Sequence, residues 1–144
     1  MFYNTVVRKG DACQYLIPTA STDSNWRNID FNDEDWITGK TGIGYADGDD
    51  ATIVPNGTRS VFIRQEFILT DPTAVEELLL HIDYDDAFVA YINGQEIARA
   101  NMGSSGPFPG AIENIPTDRE AEVYRGGALE QYKLTDLELS LIHI

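Results

Sequence analysis

The stretch Asp47-Gly48-Asp49-Asp50 sets three carboxylates on a glycine-containing turn, and oxygen ligands crowded in this way suit a hard cation. Asp47, Asp49 and Asp50 are therefore the expected ligands of a structural calcium ion. The stretch lacks the remaining spacing of an EF-hand loop and its closing glutamate. The competing reading is an acidic turn in water whose side chains cap backbone amides. Asp85-Asp86 either joins this loop across the fold or starts a turn of its own. A second constellation suits sugars, since aromatic rings stack on pyranose faces while amides and guanidinium groups bond hydroxyls. Trp36, Tyr45 and Tyr91 are the candidate platforms, with Asn93 and Arg99 as polar partners. Core packing is the competing fate of Trp36 and Tyr91.

Catalysis needs a carboxylate pair in a cleft or an activated nucleophile beside a base. Acidic residues are plentiful, yet no spacing singles out two of them. Ser21, Ser24, Ser104 and Ser105 fall in loop segments without nucleophile-elbow glycines. Gly42-Ile43-Gly44 lacks the third glycine and the following helix of a dinucleotide fingerprint. His81 stands between Leu80 and Ile82, opposite the apolar face of a strand. Asn56-Gly57-Thr58 matches a glycosylation sequon and is equally a plain turn. The expectation is a chain with no catalytic residues.

These groups must be positioned by one domain's worth of chain, 144 residues. A domain of that size buries roughly 68–70% of its unfolded surface, enough for a true core. The formal net charge is −14, with 24 Asp and Glu against 10 Lys and Arg. Without a basic stripe to displace counterions from phosphates, nucleic acid is excluded as an expected partner. The same charge disfavours anionic membranes. No apolar run approaches the ~20 residues of a membrane helix, so no membrane insertion is expected. The residues Met1 to Arg8 do not read as a signal peptide. Cys13 is the single cysteine, which precludes an internal disulfide and a cysteine-rich zinc site.

The strong segments alternate with a period of two. Val61, Ile63, Phe67 and Leu69 share one strand face, with Arg64 and Glu66 on the other. Strands are expected over 61–69, 78–84, 87–92 and 95–100. The segment 87–92 is apolar on both faces and reads as a central strand. Asn93-Gly94 tolerates positive φ at both positions and predicts a two-residue type I′ hairpin. Thr73 to Leu80 has room for a helical turn, with a strand in its second half, and Gly103 to Gly110 is a surface loop. Trp26, Phe31 and Trp36 stand five residues apart, which fits neither a helix face nor a strand face. They read as a wrapping segment whose rings enter the core while its carboxylates stay in water. The expected fold class is all-β, an antiparallel sandwich, with a barrel as the alternative.

Particular motifs then resemble a family. Asn25-Trp26 to Asp33-Glu34-Asp35-Trp36, the run Gly42 to Thr52, and Phe62-Ile63-Arg64-Gln65-Glu66-Phe67 are similar to the opening of a galactose-binding-like jelly-roll domain. The likeness is strongest from Asp83 to Met102 and spans roughly residues 9 to 136. Ala87 departs from the family's usual glycine, and Cys13 stands where the family often has tryptophan. Such domains accompany bacterial CotH-kinase-like, lamin-tail-domain and secreted phosphoesterase or glycosidase proteins. The resemblance implies a non-catalytic carbohydrate-binding or adhesion module of a larger secreted or surface protein. A structural spacer packed on a neighbouring domain of the same chain is the alternative, and a hydrolase domain a third.

Against the family pattern, the closing strands are missing. Residues 1–138 then form an incomplete domain. Leu139-Ser140-Leu141-Ile142-His143-Ile144 reads as the translation of a transposon end used in preparing sequencing libraries, a non-native tail. A short natural strand is the alternative. A foreign tail strips His143 of functional meaning and leaves strand edges unpaired.

Overall fold

In the computed structural model of the chain, residues 4–45, 48–85, 87–102, 130–134 and 142–143 are described, the last two segments as backbone. Asp47, Asp86 and the predicted loop from Gly103 to Gly110 lie outside them. Among the described residues there are strands and two short 3₁₀ turns, Ser24–Arg27 and Pro72–Ala74, and no α-helix. The all-β expectation is met at that level.

The strands are β1 (Ala12–Leu16), β2 (Ile37–Lys40), β3 (Ile43–Gly44), β4 (Thr52–Ile53), β5 (Phe62–Arg64), β6 (Glu66–Phe67), β7 (Leu78–Ile82), β8 (Phe88–Ile92), β9 (Gln95–Ala100), β10 (Glu130–Leu134) and β11 (Ile142–His143). β2, β1 and β5 form an antiparallel sheet in that order, and β7 pairs with β10, β6 with β11 and β8 with β9, all antiparallel. β3 and β4 are parallel. Of the tail 139–144, the pairing of Ile142 with Phe67 and of His143 with Glu66 is what the described backbone contains.

The five-residue spacing of the aromatics has a local cause. The backbone N–H groups of Trp26, Phe31 and Trp36 donate to the carbonyls of Asp23, Asn28 and Asp33. Each ring therefore closes a turn that opens on Asp or Asn, the residues favoured at a turn's first position. Asp23 also accepts from the Asn25 N–H at 2.9 Å, capping the first 3₁₀ turn. Three turns in succession bring three rings to one side.

Those rings meet the sheet. Trp26 stacks on Phe62 with centroids 4.3 Å apart and meets Tyr91 edge-on at 6.1 Å. Trp36 and Phe31 pack on the same cluster with Val89. A second cluster joins Phe67 and Ile92 with Val7, Leu69, Leu78 and Ile97. Tyr91 and Ile92 are successive strand residues, so they point to opposite faces and serve one cluster each. β8 is thus covered on both faces at this end, but among the described residues it pairs with β9 alone and does not stand as the expected central strand.

The expected strand 61–69 is divided at Gln65. Phe67 and Leu69 pack together as read, but Ile63 on the same parity is 37% exposed. In β5 it is Phe62 and Arg64 that face the core, at 8% and 5% exposure. Placing Arg64 on the outer face is therefore corrected. The chain passes from the β1 sheet to the β11 pair, and the side that meets the core changes with it. Cys13 is buried in β1, with the Tyr15 ring lying over Gly39, where a Cβ would stand 2.8 Å from Tyr15 Cε1.

Candidate functional site

Asn93 and Gly94 form the two-residue turn between β8 and β9, with φ of 50° and 82°. Both values lie in the left-handed region that a type I′ hairpin requires. The turn rests on the Ser24–Arg27 segment. A Cβ on Gly94 would lie 3.2 Å from Asn28 Oδ1 and 3.8 Å from the Arg27 carbonyl. Glycine here meets both a backbone and a packing requirement.

Beyond the turn the ladder is irregular. Ile92 faces Gln95 and Tyr91 faces Glu96, but Ala90 faces Ala98, so Ile97 is an extra residue on β9. A bulge of this kind changes which residues share a face. In an unbroken strand Glu96 and Arg99 would point to opposite sides. Here Glu96 is level with Tyr91 and Arg99 with Val89, on the face of the aromatic cluster. They form an ion pair with side chains 15% and 6% exposed, and Arg99 Nη1 also donates to the Met102 carbonyl at 2.8 Å. Charge-assisted bonds in so dry a place hold both groups in one orientation.

Tyr91 closes this group. The Arg27 guanidinium lies over its ring, 5.0 Å from the centroid. Burial raises the phenol's pKa, the positive charges of Arg27 and Arg99 draw it back, and Glu96 adds to the rise. Among the described residues the buried hydroxyl meets no well-formed hydrogen-bond partner. Arg27, Tyr91, Glu96 and Arg99 thus sit together at the foot of the hairpin, with Asn93 half-buried at its tip. Sequence reading named Tyr91, Asn93 and Arg99 and missed Arg27 and Glu96. The bulge that unites Glu96 with Arg99 leaves no signal in the residue pattern.

A third missed residue, Arg64, ties the three turns to β5. Its Nε donates to Asp33 Oδ2 at 2.8 Å, and Nη1 donates to the Trp26 and Asn28 carbonyls, the latter at 3.0 Å. Nη2 reaches the Phe31 carbonyl at 3.4 Å, and the guanidinium lies over the Phe31 ring. One planar group with five donors satisfies acceptors from all three turns. Asp33, expected in water with the other carboxylates of this segment, is held in that ion pair instead.

Of the remaining candidates, Trp36 belongs to the aromatic cluster, while Tyr45 and the acidic residues lie on the segment after β3. Trp36 is half-buried against Trp26 and Phe31, at 6.1 and 5.8 Å between centroids. Tyr45, 37% exposed, follows β3. The segment joining β3 to β4 carries the carboxylates, and its ends are fastened by Thr52 N–H to Gly42 and Val54 N–H to Gly44, both at 3.0 Å. The Thr52 hydroxyl accepts from Lys40 N–H and donates to the Lys40 carbonyl, fixing the loop on β2. Asp49 is exposed. Asp50 folds inward, its carboxylate standing 2.5 Å from where a Cβ on Gly44 would lie. Among the described residues no three His, Cys, Asp or Glu side chains are grouped to hold a metal. Asp47, the third expected ligand, lies outside them. His81 is exposed on β7, and burial raises the pKa of the Cys13 thiol. Among the described residues no helix is long and apolar enough to cross a membrane.

No protein-family model, curated protein or solved structure matches this chain.

Proposed function

We propose that the chain is a non-catalytic carbohydrate-binding or adhesion module of a larger secreted or surface protein, built as a galactose-binding-like jelly roll. The observation that carries the reading is the foot of the β8–β9 hairpin, where Arg27, Tyr91, Glu96 and Arg99 are held in fixed orientations. Sugar recognition rests on a few convergent polar groups beside an aromatic wall, oriented before the ligand arrives. Asn93 stands half-buried at the hairpin tip and Trp36 supports the aromatic wall from within, while the exposed Tyr45, after β3, is a separate candidate platform. Calcium at Asp47, Asp49 and Asp50 belongs to the same reading.

A structural spacer is the second reading, and a specific surface favours it. In register across β2, β1 and β5 lie Ile37, Tyr15 and Ile63, with Ile17 next on that side. Ile37 is 54% exposed and Ile17 and Ile63 each 37%. A row of this kind suits the flank of a neighbouring domain. A glycan array separates the two. The binding module retains one class of plant, algal or bacterial glycan, and loses it in Tyr45→Ala and in Asn93→Gly, which keeps the left-handed turn. No retention on any glycan ends the carbohydrate reading in favour of the spacer.

A further inference from the structure

Asparagine followed by glycine occurs twice among the described residues, in surroundings that differ sharply. Asn56-Gly57 lies in the turn Pro55 to Thr58, closed by the Thr58 N–H to the Pro55 carbonyl at 3.1 Å. The Thr58 hydroxyl donates to the same oxygen at 2.6 Å. Gly57 has φ of 86° while Asn56 is outside the left-handed region, the arrangement of a type II turn. Asn56 and Gly57 are both exposed, and no heavy atom lies within 4 Å of where a Cβ on Gly57 would stand. The Gly57 N–H donates no hydrogen bond among the described residues. The other pair, Asn93-Gly94, is half-buried between paired strands with Gly94 against Asn28 and Arg27.

We propose that Asn56 is a self-modifying site, at which the folded chain turns asparagine into aspartate and isoaspartate with water as the sole co-reactant. The deprotonated Gly57 backbone nitrogen attacks Asn56 Cγ and forms a carbon–nitrogen bond. The bond from Cγ to Nδ2 breaks, and the amide nitrogen leaves as ammonia after taking up protons from solvent. Water then adds to one of the two carbonyls of the five-membered imide, the carbon–nitrogen bond at that carbonyl breaks, the carbon is left as a carboxylate, and the nitrogen takes a proton and stays in the other amide. Opening at the side-chain carbonyl returns an ordinary backbone with aspartate, and opening at the main-chain carbonyl gives isoaspartate. Nothing is oxidised or reduced.

Three features favour the step at Asn56. Glycine offers no Cβ to shield the attacking nitrogen. That nitrogen is not tied up in a ladder, and an exposed turn tip lets the side chain fold back over it. In the hairpin the same ring closure must pull Asn93 away from a left-handed conformation locked by the Ile92 and Gln95 pairing. Conversion at Asn56 adds a negative charge to a chain already at −14 and removes the acceptor of the Asn56-Gly57-Thr58 sequon. As isoaspartate it also lengthens the backbone of the turn.

The test incubates the full, unglycosylated chain at neutral and mildly alkaline pH, folded and in denaturant. Peptide mapping by mass spectrometry follows the replacement of amide by carboxyl at Asn56 and Asn93, with isoaspartate scored separately. In the folded chain Asn56 converts about tenfold or more faster than Asn93, a difference of about 1.4 kcal/mol in barrier. The rate rises with pH, and in denaturant the two sites converge. An unconverted Asn56, equal rates in the folded chain, or a gap that persists in denaturant each overturns the proposal.

Discussion

Arg64 occupies a position that alternation in the sequence assigns to the solvent side of a strand. It is turned inward by acceptors that its own segment does not contain, the carbonyls of Trp26, Asn28 and Phe31 and the Asp33 carboxylate. Removing the guanidinium leaves these carbonyls and a 75%-covered carboxylate without their shared donor. Arg64→Met, which keeps much of the volume, is expected to destabilise the fold by about 3–5 kcal/mol in urea unfolding, the cost of breaking one side of a buried pair. Asp33→Asn alone keeps an acceptor for Nε and costs less. A loss below about 1 kcal/mol for Arg64→Met would mean that the three turns hold without it. The charge, the turn openings at Asp23, Asn28 and Asp33, and the aromatic spacing are all written in the sequence. Their meeting is a long-range event, with Asp33 and Arg64 standing 31 positions apart.

The elements divide by how locally they are determined. The β8–β9 hairpin follows from two residues, because few others adopt positive φ in succession. Gly94→Ala is expected to cost about 1–2 kcal/mol for the left-handed backbone, and more from the contact with Asn28. Gly10 offers the control, since its φ is 88° with nothing within 4 Å of an added Cβ. Thermal unfolding should therefore rank Gly94→Ala below Gly10→Ala, and equal losses would remove the packing role of the hairpin tip. The bulge at Ile97 belongs to the other class. It depends on how β9 lies against β8 and its surroundings, and it alone puts Glu96 and Arg99 on one face. Strand 61–69 was legible as extended chain, but its break at Gln65 comes from pairing with two different partners.

At the scale of the whole molecule, the excess of 14 negative charges is a repulsion that folding must tolerate. A cation held by Asp47, Asp49 and Asp50 would relieve part of it where β3 and β4 are joined. With calcium at a hundredfold excess over its Kd, stability rises by ~2.7 kcal/mol. For a domain of this size each kcal/mol moves the Tm by about 2–4 °C, so the melting temperature in calcium should exceed that in chelator by several degrees. Equal Tm values end the calcium assignment. The response should vanish in Asp49→Asn and leave Arg64 and the hairpin unaffected.

Read alone, the sequence determined what depends on neighbours along the chain: the strands 78–84, 87–92 and 95–100 by their alternation and turn signals, and the left-handed turn at Asn93-Gly94. Backbone preference and alternation act over a few residues, so these survive without knowledge of the fold. Only the tertiary structure decided that Arg64 faces inward, that Tyr91 is buried under Arg27, and that Glu96 meets Arg99. It also set Trp36 among the rings and turned Asp50 toward Gly44. Each of these depends on a buried group finding a partner far away in sequence, since polar atoms taken from water must be satisfied wherever the chain happens to bring a donor or acceptor within reach.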